Sequence, residues 1–126
     1  MERRTVPAVS PFAEAAGYSR VVRVGQHVFV AGTAPMMPEG EELPSDAYGQ
    51  TKRCLEIIVA ALAEAGAAPE HVVRTRIFAT HAEDFEEVAR AHGAVFRDVR
   101  PASTYVITQL IDPRWRVEIE AEALVP

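Results

Sequence analysis

From Trp115 to Val125 the chain alternates almost without a break. Val117, Ile119, Ala121 and Ala123 are apolar, and Arg116, Glu118, Glu120 and Glu122 between them are charged. Strand side chains point alternately to opposite faces, so this run suits a strand with one face in a core and the other outside it. A helix would scatter the same residues around its circumference. The rest of the chain has to supply a sheet for this strand and a layer that covers one side of it.

Ser19–Val24 (SRVVRV) has an extended pattern, Gly25, Gln26 and His27 supply a turn, and His27–Gly32 (HVFVAG) is β-branched and aromatic. The pair predicts a hairpin. Pro35–Pro44 (PMMPEGEELP) is a surface loop. Ser45 or Asp46 then caps a helix whose Leu55, Ile58, Val59 and Leu62 follow helical spacing, with Gly66 at its stop. After Pro69 comes a strand, Val72–Thr80. A second helix runs from about Ala82 to Phe96, with Phe85, Val88, Ala89 and Phe96 on one face. Pro101 ends the connection, Ser103–Leu110 is a strand, and Asp112-Pro113 marks the turn before the last one. The order is β-β-α-β-α-β-β, an α/β (α+β) fold with a mixed sheet and two helices packed on one face. Nothing remains to cover the other face, so that face is expected to bury itself against copies of the chain.

A length of 126 residues fits one domain, 1–126. The formal net charge of -5 argues against a general nucleic-acid binder, whose affinity comes from neutralising phosphates. Cys54 is the one cysteine, which excludes an internal disulfide framework and a multi-thiolate metal site. With no apolar N-terminal leader and no stretch of membrane-spanning length, the expected setting is cytoplasmic, away from membranes. The histidines, His27, His71, His81 and His92, lack ligand spacing, and Gly25 and Gly32 lack the strand-loop-helix setting of a phosphate loop. These patterns offer no metal-ligand set and no phosphate loop.

Three carboxylates share one face of the last strand, roughly 7 Å apart by the strand rise. Two readings stay open. The face is solvated, or one glutamate lies in a cleft with a raised pKa and moves protons.

Arg100-Pro101-Ala102-Ser103-Thr104, Leu110 and Val117-Glu118-Ile119-Glu120-Ala121 together resemble the signature of the Rid family, the YjgF-like reactive-intermediate deaminases, also labelled endoribonuclease L-PSP. Upstream, Tyr18, Val24-Gly25 and Val28-Phe29-Val30-Ala31-Gly32-Thr33-Ala34-Pro35 resemble its hairpin. Gln50-Thr51 through Leu62 and Gly66 resemble its first helix, and Val73-Arg74-Thr75-Arg76-Ile77-Phe78 its middle strand. The resemblance implies a chorismate-mutase-like fold and a homotrimer with small-molecule clefts between subunits. It also implies hydrolysis of enamines and imines, such as 2-aminoacrylate, to keto acids and ammonia, with no metal and no organic cofactor.

Carried over by position, the pocket glutamate is Glu118, the acid/base candidate, and the pocket tyrosine is Tyr18. Gly32 and Thr33 belong to the segment that approaches the ligand. Where the family places a carboxylate-binding arginine, this chain has Ser103. An arginine fork makes two charge-assisted bonds and a hydroxyl one neutral bond, a deficit of about a hundredfold in affinity. Activity on 2-aminoacrylate is therefore expected to be weak, with a preference for a neutral or differently charged imine. Arg116 and Arg76 are candidates to replace the arginine, against surface or ion-pair roles, whereas Arg100 falls in a loop. Tyr105 and Trp115 supply either an aromatic pocket wall or packing between subunits. The alternative function is a binding or scaffold trimer without chemistry. RNA cleavage is disfavoured by the acidic chain and the lack of a His/Lys constellation.

Overall fold

The computed structural model describes the whole chain, Met1–Pro126. Its elements are β1 (Arg3–Val6), α1 (Ala13–Ala16), β2 (Val21–Val24), β3 (His27–Thr33), α2 (Ala47–Glu64), β4 (Val72–Ala79), α3 (Phe85–Phe96), β5 (Ala102–Ile107) and β6 (Val117–Leu124). The strands form one sheet in the order β1-β2-β3-β6-β4-β5. Every pairing is antiparallel except β4 with β5.

The alternating run is the inner strand, hydrogen-bonded on both sides. Val117, Ile119, Ala121 and Ala123 are buried, beside Val28 and Val30 of β3 and Ile77 of β4. Leu55, Ile58 and Leu62 of α2 complete this layer with Val88 and Phe96 of α3. Both long helices thus lie on one face, as the pattern predicts. The opposite face carries Phe29, Arg74, Arg76, Phe78, Glu118, Glu120 and Glu122, with no layer over it.

Local chemistry sets the element ends. The Asp46 side chain accepts from Gly49 N at 3.0 Å and caps α2, rather than Ser45. Gly66, at φ 79°, takes the left-handed turn after α2, and Ala67 N returns to Leu62 O at 2.8 Å. Gln50 is buried and clamps the segment before β6: its Nε2 donates to Pro44 O and Arg114 O, and its Oε1 accepts from Arg116 N.

Three expectations need correction. The sheet has a sixth strand, β1, and the chain has an extra one-turn helix, α1. Three of the four β1 residues are exposed and show no apolar alternation, so pairing with β2 defines the strand. The buried stripe of α3 is Val88, Ala91 and Phe96; Phe85, in the first turn of the helix, and Ala89, one step round the helix from Val88, are exposed. The last strand starts at Val117, since Trp115 lies in the turn held by its N–H to Asp112 O at 3.0 Å.

Candidate functional site

The three carboxylates of β6 share a face, but their surroundings separate them. Glu120 meets Arg76 at 3.0 Å, and Glu122 meets Arg76 at 3.4 Å and Arg74 at 3.9 Å. These opposite charges relieve the repulsion expected of a carboxylate row. Glu118, next along, faces no arginine at ion-pair distance; across β4 it stands opposite Phe78. Burial raises its pKa from the ordinary value, Arg20 opposes this, and Glu120 adds to it.

What brings Glu118 into a recess is an irregularity of β3. Val30 pairs with Ala121 and Thr33 with Ile119, so Ala31 and Gly32 together oppose Glu120. Such a bulge bends the strand and re-aims its residues. Here it sets Gly32 against the Glu118 carboxylate: a Cβ on Gly32 would lie 2.5 Å from Oε2. Only a residue without a side chain leaves room for this approach.

Arg20 completes the recess. It donates from Nη2 to Gly32 O at 2.9 Å and from Nη1 to Thr33 Oγ1 at 2.8 Å, while its Nε is buried without a partner. Thr33 is itself fully buried and donates to Ala31 O. Tyr18 precedes this group; its hydroxyl donates to Ser10 Oγ at 3.2 Å. Tyr18 also lines a shallow concavity of about 410 Å³ with Phe29, Ala31, Arg76, Glu120 and Glu122. Gly32, Thr33 and Glu118 thus meet around Arg20, with Thr33 buried opposite Ile119 on the helix side, while Tyr18 lies in the open-face concavity beside Glu120 and Glu122. Arg20 went unnoticed in the sequence, although counting back by two from Val24 and Val22 puts it on that face.

The other sequence candidates lie elsewhere. Ser103 sits on the edge strand β5 and accepts from the buried Thr75 Oγ1 at 2.9 Å; Thr75 also contacts His92 Nε2 of α3 at 2.9 Å. Ser103 thus faces the helices, on the opposite side of the sheet from Glu118. Tyr105 shares that side: its ring meets Phe85 edge-on at 5.0 Å, and its buried hydroxyl has no partner. Trp115 is buried in the turn before β6. Arg116 is turned to the buried Asp84, donating at 2.8 and 3.0 Å, and Arg76 is held by Glu120 and Glu122. Both arginines are therefore engaged within the chain. Cys54 is fully buried beneath β6, its Sγ 3.9 Å from Val117 O, and burial pushes its thiol pKa far up. It is not a nucleophile in this state.

Fold and site together define a small α+β protein with a desolvated carboxylate and a guanidinium on an uncovered sheet face. The family described as Endoribonuclease L-PSP matches residues 9–125, and the chain belongs to that family. It is 40% identical over 121 residues to the Streptomyces coelicolor protein SCO2049, covering 95% of this chain and 90% of that one. It is 27% identical over 110 residues to the 2-iminobutanoate/2-iminopropanoate deaminase of Escherichia coli, covering 85% and 86%. Among solved structures, Rv2704 of Mycobacterium tuberculosis, a member of the YjgF/YER057c/UK114 family, superposes with a TM-score of 0.89 at 41% identity, covering 98% of this chain and all (100%) of that one. The expected chorismate-mutase-like fold is thus the one found. No helix is long and apolar enough to cross a membrane.

Proposed function

We propose that the protein hydrolyses the C=N bond of a small imine, or of the imine tautomer of an enamine, in clefts between the subunits of a homotrimer. One observation carries the reading: Glu118 is a partly desolvated carboxylate, free of ion pairs, held against Gly32 beside Arg20 and within a family that includes an imine deaminase. As carboxylate, Glu118 takes a proton from water as its oxygen adds to the imine carbon. As acid, it returns that proton to nitrogen, and collapse of the carbinolamine releases ammonia and leaves a carbonyl. A raised pKa suits both roles near neutrality. Arg20 and the Tyr18 hydroxyl orient the substrate.

The trimer reading is supported by the uncovered sheet face and by β5, an edge strand whose outer side is unpaired. Ser103 and Glu118 lie on opposite faces of one chain, so a cleft using both takes them from two subunits. Sedimentation of a stable monomer at micromolar concentration would remove this part. The chemistry is tested by ammonia release from freshly generated 2-iminopropanoate and from imines without a carboxylate. The natural protein is expected to favour the latter, and Glu118→Gln to abolish turnover of both. If Glu118→Gln changes only ligand affinity, the protein is a binding trimer that kept the cleft without the chemistry, a reading that the serine at position 103 favours.

A further inference from the structure

Of the twelve arginines, Arg20, Arg23, Arg53, Arg74, Arg76, Arg114 and Arg116 each bind a carbonyl, a hydroxyl or a carboxylate of the chain, and Arg90 stacks on the Tyr48 ring. Arg3, Arg4, Arg97 and Arg100 make no side-chain hydrogen bond and no ion pair; of these, Arg97 and Arg100 lie together at one helix end, on either side of an equally unpaired Asp98. Both arginines line a concavity of about 440 Å³ at the end of α3, with His92, Gly93, Phe96 and Pro101. No carboxylate lines it.

The backbone there is also unusual. Arg100 has φ 56° and is the one residue other than glycine with a positive φ. Its N–H and that of Val99 both return to Phe96 O, at 2.8 and 3.1 Å, closing the helix end. Pro101 disfavours the helical conformation at Arg100, which explains the turn but not the residue. Glycine or asparagine is the favoured occupant of this left-handed position. An arginine accepts the strain and aims a second guanidinium at the concavity. Outliers of this kind are retained where the side chain has a use.

We propose that this concavity is an anion site for a phosphate-type group, held by Arg97 and Arg100 with His92 as its wall. Two planar forks and no competing carboxylate suit a tetrahedral oxyanion, since guanidinium–phosphate bonds are charge-assisted and often bidentate. The site does not involve Glu118, although its His92 wall meets Thr75 Oγ1, which donates to Ser103. The free anion and a phosphomonoester share this chemistry.

The test is a titration of the natural protein with inorganic phosphate and, separately, phosphoserine, at fixed ionic strength. The readouts are calorimetry and the side-chain Nε–H signals of Arg97 and Arg100. Saturable binding is expected, with both signals moving. Tighter binding of phosphoserine would identify an ester as the ligand; equal binding would identify the free anion. Arg97→Gln and Arg100→Gly should each weaken binding about tenfold or more, the value of one charge-assisted bond. Arg100→Gly should do so while leaving thermal stability unchanged or raised, because glycine suits the left-handed turn. The proposal is overturned if neither ligand saturates, if chloride produces the same response, or if both variants bind as the natural protein does.

Discussion

Replacing Gly32 by alanine isolates the contact on which the proposed chemistry rests. The added Cβ would stand 2.5 Å from Glu118 Oε2, where ordinary contact begins at 3.4 Å. The carboxylate must therefore retreat by about 1 Å, and a misplacement of that size costs on the order of a hundredfold in rate. The atom displaced is the end of a side chain, and the φ of Gly32 is not positive, so the backbone accepts alanine. Stability should change by less than about 1 kcal/mol, helped by the lower chain entropy of alanine in the unfolded state. The assay pairs initial rates of ammonia release, on the best imine substrate found, with a carbon-13 NMR titration of the Glu118 carboxyl. A carboxylate pushed out of its recess should titrate closer to an ordinary glutamate. Full activity with an unchanged titration would refute the claim that Gly32 holds Glu118 in place. Loss of activity through unfolding, seen as a collapsed melting transition, would refute the claim that only a side chain moves.

Four further outcomes follow from the same geometry. The acid limb of the pH profile of kcat/KM should lie above the ordinary glutamate range, because burial raises the Glu118 pKa; Arg20→Gln should move it higher, since Arg20 acts to lower it. A carboxyl whose folded pKa is raised costs stability as pH climbs from its unfolded value through its folded one, so Glu118→Gln should gain stability relative to the natural protein at neutral pH and lose that gain in acid, as read by urea unfolding at both pH values. Asp84→Ala should lower the unfolding free energy by about 2–3 kcal/mol, less than the roughly 3–5 kcal/mol of a fully buried pair, because the Arg116 side chain stays 32% exposed and can rehydrate. Ser103→Arg should fold normally, because Ser103 is exposed, and raise kcat/KM for 2-iminopropanoate about a hundredfold if the cleft is otherwise intact.

Burial periodicity made the sheet-and-helix layering legible. The run from Val117 to Ala123 declared a half-buried strand, and Leu55, Ile58 and Leu62 declared the helix above it, because a period of two or of three to four is written directly in residue order. Element ends were partly legible: Gly66 as a stop, and a cap at Ser45 or Asp46, between which the structure chooses Asp46. Residues whose role comes from a distant partner were not. The strand Arg3–Val6 has no pattern of its own and exists through backbone pairing with Val21–Val24. Arg116 could be placed beside Glu118 by counting, but the nearby Asp84 decides where its guanidinium goes.

By itself, then, the order of residues determined which faces are apolar, how many layers the fold has, and which carboxylates stand in a row. Family resemblance pointed to Glu118 among them, but only the tertiary structure supplied the physical difference between it and the others. A bulge at Ala31–Gly32 and two arginines on β4 leave Glu118 desolvated while pairing Glu120 and Glu122. The physical reason is that alternation depends on neighbours along one chain, whereas desolvation and charge pairing depend on atoms that other strands bring to the same place.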